Sequence, residues 1–394
     1  MRRQMCVWVV STVGVACSGG GSGTTPTHPS TGGASNSSGG VSSAGSSAGG
    51  AGSGNAGVAN GGASTAGRAG GDAGHSGAGA VGGAGGGGAT TPWHCPAGPF
   101  PAPADLSATP SKIPNAPPDD AFNMNNFTNV EGPVWIGDAL YFSEMQANNN
   151  PPPSRVLKLA SGGSVSVAIA DSGSNGLAVD TIGDLIAADH KDGSISRLSL
   201  TGGAPVPLVS MYMGARFNSP NDLAIRSDGT IYFSDPDFQA ATPRPQSMTR
   251  LYRVAPGGAA IAVGGNLSEP NGVTLSPDEK TLYVAGNQLK KFPVMTDGSL
   301  GAGSDFVQGG GGSGDSMVVD CAGNLYVPGS QPQVLVYSPA GVQLGKITLP
   351  AGAGTSTNVA FGGPERKTLY ITCQGNASQR GVFKLDLNLP GLPY

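Results

Sequence analysis

SPNDLAIRSDGTIYFSD, residues 219–235, contains the pattern that specifies the fold. A polar group is followed by a short apolar stretch, a Ser-Asp-Gly turn and a second apolar stretch rich in aromatic and β-branched residues. Two such stretches around a turn are typical of a β-hairpin. Five further copies, spaced by about 45 residues, begin at Glu131, Ser174, Glu269, Gly314 and Ser356.

Each copy is followed by a further apolar stretch. These stretches are RVLKLA from Arg155, SISRLSL from Ser194, RLYRVA from Arg250, KKFPV from Lys290, VLVYSP from Val334 and GVFKLDL from Gly381. About four strands per period is typical of a propeller blade, and no stretch has convincing helical periodicity. The sequence therefore predicts an all-β, six-bladed β-propeller over residues 93–394. Its repeats start at residue 131, and the last part of a lead-in at 93–130 is expected to help close the ring.

The first 92 residues differ in composition. Arg2 and Arg3 precede an apolar core too short to span a bilayer, so we interpret residues 1–17 as a signal peptide. Its end, GVAC, resembles a bacterial lipoprotein signal in which Cys17 is lipidated; ordinary secretion with a spare cysteine is the alternative. Residues 18–92 are mostly Gly, Ala, Ser and Thr, which predicts a disordered linker. We expect an exported protein, lipid-anchored to the bacterial cell envelope, or else secreted or periplasmic.

The charge balance limits the partners. The formal net charge is −4, and the sequence has no basic patch that could neutralise the phosphates of a nucleic acid. Nucleic acid is therefore excluded as a partner. The only membrane contact expected is through the N-terminal lipid anchor.

Three cysteines follow the predicted signal peptide: Cys95, Cys321 and Cys373. Export permits disulfides, and an odd number leaves at least one thiol free. Cys321 falls in the turn of its copy, whereas Cys373 ends a second strand. The two should lie at opposite ends of their strands, so we expect no bridge between them.

One polar residue opens each copy. Alignment on the second strands places Glu131, Asn175, Asn221, Asn271, Asp315 and Asn358 at equivalent positions. The first strand of a blade lines the central channel, so these side chains should converge near one mouth. Their oxygens are hard donors, which favour Ca²⁺, Mg²⁺ or Mn²⁺, and the two carboxylates could offset a divalent charge. Capping of nearby strands and turns is the alternative explanation for the set.

The ends of the second strands return to the same face, because the strands of a hairpin are antiparallel. These ends carry Glu144, Asp189 with His190, Asp235, Asn287, Ser330 and Gln374. We interpret them as an outer ring around a polar substrate, with an ordinary loop residue as the alternative for each one alone. His190 is the only histidine after residue 94, so a histidine dyad is impossible. Without a GxSxG elbow, a serine triad is not expected. We interpret His190 as a substrate contact, with a loop residue or a general base as alternatives.

Several stretches are similar, in order and spacing, to a known family. They are EGPVW at 131–135, RFNSPNDLAIRSDGTIYFSDP at 216–236, EPNGVTLSPDEKTLYVA at 269–285, GDSMVVDCAGNLYV at 314–327 and FGGPERKTLYIT at 361–372. Together they resemble the gluconolactonase, senescence marker protein and luciferin-regenerating enzyme family over about residues 125–390. The resemblance implies a six-bladed propeller that holds one divalent cation in its channel and hydrolyses small lactones.

The resemblance also implies roles for individual residues. Glu131, Asn271 and Asp315 match the family's metal ligands, and Asn221 matches an asparagine beside the metal that contacts substrate. Ser219 stands where the senescence marker branch has an arginine, and Arg216 lies further back, as in the bacterial gluconolactonase-like branch. The predicted metal set is Glu131, Asn221, Asn271 and Asp315, with Ca²⁺ as the first choice and Mg²⁺, Mn²⁺ or Zn²⁺ as alternatives. The predicted substrate contacts are Asn221, Asn218, Arg216, Asn175, His190 and Asp235.

The leading functional hypothesis is metal-dependent opening of a small lactone or sugar-acid lactone. The cation would polarise the carbonyl, and the Asp315 carboxylate would act as general base toward water. One alternative is a surface-displayed ligand-binding propeller with a structural cation and no turnover. Another is a related propeller hydrolase or synthase that acts on a different ester or an alkaloid-like substrate.

Overall fold

The computed structural model describes residues 94–113, 127–146, 154–307 and 313–392 of the 394-residue chain. The predicted signal peptide at 1–17, Cys17 and the predicted linker at 18–92 lie outside the described residues. Every regular element in the described ranges is a β-strand. These ranges contain no helix, and hence no apolar helix of a length that crosses a membrane. The all-β prediction is confirmed.

The strands form six four-stranded antiparallel sheets and one short hairpin. Strand β1 (Ser111–Lys112) lies in the lead-in. Blade 1 contains β2 (Asn129–Ile136), β3 (Ala139–Met145), β4 (Ser154–Ala160) and β5 (Val165–Ile169). Blade 2 contains β6 (Ser174–Val179), β7 (Leu185–Asp189), β8 (Ser194–Leu198) and β9 (Val206–Val209). The hairpin β10 (Met211–Tyr212) and β11 (Ala215–Arg216) follows.

The remaining blades repeat this order. Blade 3 contains β12 (Leu223–Ile225), β13 (Ile231–Asp235), β14 (Arg250–Val254) and β15 (Ala260–Val263). Blade 4 contains β16 (Val273–Leu275), β17 (Thr281–Val284), β18 (Lys290–Pro293) and β19 (Ser304–Asp305). Blade 5 contains β20 (Val318–Val319), β21 (Leu325–Pro328), β22 (Gln333–Tyr337) and β23 (Gln343–Thr348). Blade 6 contains β24 (Thr355–Gly362), β25 (Thr368–Gln374), β26 (Gly381–Asp386) and β1.

The first strands of the blades form the wall of the central channel. They contact one another in a closed cycle, from β2 to β6, β12, β16, β20 and β24 and back to β2. This cycle confirms the predicted six-bladed propeller. All six first strands enter from one end of the channel, which we call the mouth, and the turns between first and second strands lie at the opposite end, the base.

The lead-in closes the ring. Strand β1 pairs with β26, with Ser111 opposite Lys384 and Lys112 opposite Phe383. The last blade thus takes its outermost strand from the N-terminal side of the chain. The lead-in therefore takes part in ring closure through residues 111–112, whereas residues 114–126, most of its predicted closing part, lie outside the described residues.

The hydrophobic core is divided among the interfaces between neighbouring blades. Strand β7 shows why: Leu185 and Ala187 pack toward blade 1, whereas Ile186 and Ala188 pack toward blade 3. Successive side chains of a strand point to opposite faces of its sheet. Because each sheet packs against a neighbouring blade on both faces, such a strand is apolar throughout. This explains why the second strands have nearly continuous apolar sequences.

A disulfide joins the lead-in to the base of blade 5. Cys95 is bonded to Cys321, 226 residues apart, in the turn between β20 and β21. Cys373 is a buried free thiol. The predictions of at least one free thiol among these three cysteines and of no Cys321–Cys373 bridge are confirmed. On the same side, the Ala104 N–H donates to the Asn388 side chain at 2.8 Å, so the lead-in is held at more than one point.

Candidate functional site

The six polar residues predicted to line the channel mouth, here called the axial ring, lie at interruptions of the hairpin ladders. The ring consists of Glu131, Asn175, Asn221, Asn271, Asp315 and Asn358. In blades 1, 2 and 6 the register between the first two strands shifts beside the ring residue. In blades 3, 4 and 5 the first strand begins only after it. Such irregularities re-aim side chains, which are therefore free to face the axis.

Backbone contacts between neighbouring blades bring the ring residues together. The Gly176 N–H donates to the Asn221 carbonyl at 2.7 Å, and the Ser316 N–H donates to the Thr357 carbonyl at 3.1 Å. The Thr357 hydroxyl donates to the Val130 carbonyl at 3.2 Å, which connects blade 6 to blade 1. The residues directly beside the ring members thus form contacts from blade to blade.

Glycine allows this close approach in blades 1 and 4. A Cβ at Gly132 would lie 2.4 Å from the Asn175 carbonyl oxygen, and one at Gly272 would lie 2.4 Å from that of Asp315. Neither approach leaves room for a side chain. Each glycine directly follows a ring residue, so it sets the distance from that residue to the next one around the axis.

Glu131 is close enough to Asp315 for the charge of Asp315 to affect its ionisation. Burial raises the pKa of Glu131 well above its usual value, and the charge of Asp315 raises it further. Burial raises the pKa of Asp315 to about 7, assisted by the charge of Asp222. Hydrogen bonds from Thr357 and Asn358 to Glu131 oppose the increase in its pKa. Mutual repulsion of two buried carboxylates is what a bound cation would relieve.

Asn271 completes the oxygen set. Its side chain hydrogen-bonds to Asp315, whereas its Oδ1 atom is buried and has no hydrogen-bond donor among the described residues. Burying an acceptor without a partner costs free energy, so we expect a bound group to interact with this oxygen. The described ranges contain no group of three or more His, Cys, Asp and Glu side chains placed to hold a metal. Two carboxylates assisted by amide oxygens nevertheless fit a hard divalent cation, because such ions bind oxygen ligands of both kinds.

The other two predicted metal or substrate residues in the ring are buried at the same end of the channel. Asn175 is 3% exposed and Asn221 is 6% exposed. The Gly176–Asn221 contact places them on neighbouring blades. Their assignment as ligand or substrate contact stays a prediction.

Asn218 and Asp235 support a loop beside Asn221. The Asn218 N–H donates to Asp235 Oδ2 at 3.0 Å, and the Ser219 N–H donates to Asp235 Oδ1 at 2.8 Å. The Asn218 side chain accepts from the Gln246 N–H at 2.8 Å and donates to the Met248 carbonyl at 3.1 Å. Both side chains are buried, so the geometry favours a role in holding this loop, and their predicted contact with substrate stays untested.

Arg216 joins the loops of blades 2 and 3. Its guanidinium donates to the Lys191 carbonyl at 3.0 Å and to the Phe217 carbonyl at 3.4 Å. The side chain is only partly buried. It keeps donor capacity beyond these two bonds, because a guanidinium has five N–H groups. Its contact with substrate stays a prediction.

His190 follows β7 in the loop that Arg216 contacts. It is 2% exposed, and neither ring nitrogen has a hydrogen-bond partner among the described residues. Burial lowers its pKa to about 4, so the imidazole is neutral at pH 7. A neutral ring can still donate one hydrogen bond and accept one.

Besides Asp235, two further acidic members of the predicted outer ring are engaged in loop contacts. Glu144 is fully buried and accepts from Arg155 Nε at 2.7 Å and from the Thr128 N–H at 2.9 Å. Asp189 is also buried and accepts from the Asp192 N–H at 3.0 Å. Both hold loops and do not face solvent. The exposed positions of the predicted ring are Asn287, Ser330 and Gln374.

Asp222 was missed in the sequence. It follows Asn221 and is buried, and it is the neighbouring charge that acts on Asp315. A signal existed in the aligned copies: the position after the ring residue is Gly132, Gly176 and Gly272 in three blades, and a carboxylate in blade 3.

Comparison with known proteins agrees with this fold and arrangement. A family model described as SMP-30/Gluconolactonase/LRE-like region matches residues 130–375, which contain the whole axial ring. The chain belongs to this family. It is 30% identical over 283 residues to a gluconolactonase of Zymomonas mobilis, a match that covers 62% of this chain and 76% of that protein.

Two further comparisons are informative about this SMP-30/gluconolactonase family member. It is 33% identical over 190 residues to a lactonohydrolase of Aspergillus oryzae, with 43% of each chain covered. The solved structure of a gluconolactonase from Xanthomonas campestris is 28% identical, with a TM-score of 0.57. That match covers 73% of this chain and all of the other. The similarity thus extends over the propeller and not only over a short motif.

The raised pKa values predict how the stability of this family member depends on pH. Asp222 and Asp315 both have a pKa of about 7 in the folded protein against an ordinary value of 3.8, and the pKa of Glu131 is also raised. Between pH 4 and 7 the folded, metal-free protein therefore binds more protons than the unfolded chain, and its stability should fall as the pH rises through this range. Added Ca²⁺ should raise the melting temperature more at pH 7.5 than at pH 4.5.

Thermal melts at both pH values, with chelator or with Ca²⁺, measure this difference. Asp315→Asn should reduce the pH dependence of the Ca²⁺ effect, because one titrating ligand is removed. An equal Ca²⁺ effect at both pH values would contradict the expectation.

Proposed function

We propose that this protein hydrolyses small lactones with the help of one divalent cation at the axial ring. The observation that carries the proposal is the unpartnered, buried Oδ1 atom of Asn271, whose side chain contacts the Asp315 carboxyl, itself near Glu131. The names of its relatives, gluconolactonase and lactonohydrolase, support the substrate class.

Glu131, Asn221, Asn271 and Asp315 would hold the cation, with Ca²⁺ as the first choice. A bound divalent cation would polarise the lactone carbonyl and stabilise the negative charge that develops on its oxygen. The protein's contribution is to keep two carboxylates and two amides at one end of a narrow channel. The rigid contacts between blades suit that task, because a site must hold its geometry without rearranging.

Asp315 is the general base of this proposal. Its carboxylate is buried at the site and, kept ionised by a bound cation, could take the proton of a water beside the lactone carbonyl. Asp315 takes a proton from the attacking water as the water oxygen bonds to the carbonyl carbon. The bond from that carbon to the ring oxygen then breaks, the proton passes to the ring oxygen, and the product is an open hydroxy acid.

The predicted substrate contacts fall into two groups. Asn175 and Asn221 lie in the axial ring, where their amides can bind hydroxyl groups of a sugar lactone. Arg216 and His190 lie on the loops around the mouth, and the unpartnered His190 nitrogens would be satisfied by a polar ligand. Amide, imidazole and guanidinium groups suit a small, uncharged, hydroxyl-rich substrate.

The test uses the purified full chain, freed of metal by a chelator, with a panel of aldonolactones, aliphatic lactones and aryl esters. We expect aldonolactone hydrolysis that is absent with chelator and restored by Ca²⁺, Mn²⁺, Mg²⁺ or Zn²⁺. Calorimetry with the same lactones serves as the binding readout. Tight lactone binding without turnover in the presence of every cation would instead establish the ligand-binding propeller.

We also infer that the protein is exported and anchored through Cys17, which rests on the N-terminal sequence. The Cys95–Cys321 disulfide supports export, because disulfides persist in oxidising compartments. Fractionation of cells that express the wild type or Cys17→Ser tests the anchor, since only the wild type should remain with membranes. A wild-type protein found entirely in the soluble fraction would reject it.

A further inference from the structure

One buried carboxylate connects three blades at the channel mouth. Asp222 Oδ2 accepts the Val273 N–H of β16, in blade 4, at 2.9 Å. The carboxylate also accepts the Leu223 N–H of its own blade and hydrogen-bonds to the side chain of Ser316, in blade 5. Asp222 is 6% exposed, so these contacts are made away from water.

Asp222 is held from the opposite side as well. A Cβ at Gly176, in blade 2, would lie 2.8 Å from Asp222 Oδ1 and 2.6 Å from the Asn221 carbonyl oxygen. Because Gly176 has no side chain, the Asp222 carboxylate can occupy this space. The carboxylate is enclosed between blade 2 and blade 4 and has little freedom to move.

The partners of Asp222 are direct neighbours of the candidate metal residues. Val273 is two residues after Asn271, and Ser316 directly follows Asp315. The Asp222 carboxylate of blade 3 thus contacts blades 4 and 5 at the height of the axial ring.

We propose that Asp222 is a positioning residue that fixes the backbone beside Asn271 and Asp315 so that both side chains meet one cation. The inference rests on the proposed cation site and not on the identity of the substrate. Residues that orient metal ligands contribute about 10- to 100-fold to affinity or activity. The hydrogen bonds of Asp222, and not its charge, provide this effect.

Two substitutions at Asp222 separate hydrogen bonding from charge. Asp222→Ala removes the acceptor and should weaken Ca²⁺ binding of the full chain, measured by calorimetry, by about 10-fold or more. Asp222→Asn keeps an acceptor for the Val273 N–H, so it should weaken binding clearly less than the alanine variant does. Amide hydrogen exchange around residue 273 should accelerate in the alanine variant only.

Asp320→Ala is the matched control. Asp320 is a buried aspartate that accepts the Ala322 and Asn324 N–H groups at the base of blade 5. Its loss should lower the melting temperature without changing the Ca²⁺ dissociation constant. A merely structural role for Asp222 would produce this same pattern, and that result would overturn the proposal.

Ser316→Ala decides the question if Asp222→Ala does not fold. It removes one hydroxyl that contacts Asp222 and should weaken Ca²⁺ binding, whereas Ser276→Ala, at the base of blade 4, should not. Equal Ca²⁺ affinity of Ser316→Ala and wild type would overturn the proposal. Weakened Ca²⁺ binding in a protein that hydrolyses no lactone would reject the proposed activity and leave the positioning role intact.

Discussion

Asp315→Asn should lower kcat for aldonolactone hydrolysis by about 10²- to 10⁴-fold, the contribution typical of a positioned general base. Asparagine has nearly the same shape and can still accept the Ser316 N–H, which Asp315 Oδ1 does at 3.2 Å. It cannot take a proton from water at neutral pH, and it supplies no charge to a cation. The propeller should therefore remain folded while turnover is lost.

The measurement is kcat at several Ca²⁺ concentrations, so that weaker cation binding is distinguished from a slower reaction. Asp320→Asn, at a buried aspartate at the base of the same blade, is the control and should retain wild-type kcat. Circular dichroism melts monitor folding of both variants. Turnover of Asp315→Asn close to that of wild type at saturating Ca²⁺ would reject Asp315 as the base.

Gly272→Ala should destabilise the protein and weaken the cation site together. The added Cβ would lie 2.4 Å from the Asp315 carbonyl oxygen and 2.6 Å from Ser316 Cα. Both are backbone atoms, so no rotamer change relieves the overlap, and blades 4 and 5 must separate. Overpacking of this kind costs about 1–3 kcal/mol or more. The melting temperature should fall by several degrees, and the Ca²⁺ dissociation constant should increase.

Gly162→Ala is the control for the loss of a glycine. Gly162 lies in the turn between β4 and β5, where an added Cβ would have nothing within 4 Å and the backbone has no positive φ. Its substitution should change the free energy of unfolding by no more than about 0.5 kcal/mol. If both variants melt at the same temperature and bind Ca²⁺ equally, close packing at Gly272 does not shape the site.

The blades were predictable because their signals are local. An apolar stretch, a turn and a second apolar stretch specify a hairpin within about 15 residues. The third strands were also visible, as with VLVYSP from Val334, which is β22 (Gln333–Tyr337). The outermost strands were less distinct, because they are short and half exposed, such as β19 (Ser304–Asp305).

Two features of ring closure depend on parts of the chain that are far apart. Strand β1 pairs with β26, and Cys95 pairs with Cys321, 226 residues away. The sequence around Ser111 carries no mark of its partner. A two-residue strand has no local signal of its own and forms by pairing with the free edge of β26. That edge exists only once blade 6 has formed.

Alignment of the copies also predicted which residues form the axial ring, since equivalent positions of a repeat occupy equivalent places in each blade. It did not distinguish polar residues that face the channel from those that hold loops. Glu144 was predicted to face substrate, but Arg155 and Thr128 occupy its carboxylate. Asp222 received no role, although it connects three blades.

The number of blades, their strand order and the oxygen-rich character of the channel all follow from the amino-acid sequence alone, because periodicity and turn chemistry act between neighbours in the chain. Which of those oxygens lack partners, and which are already engaged, is settled at the level of the folded ring. Burial and hydrogen bonding at the axis depend on atoms from several blades, and those atoms meet only when the ring is closed.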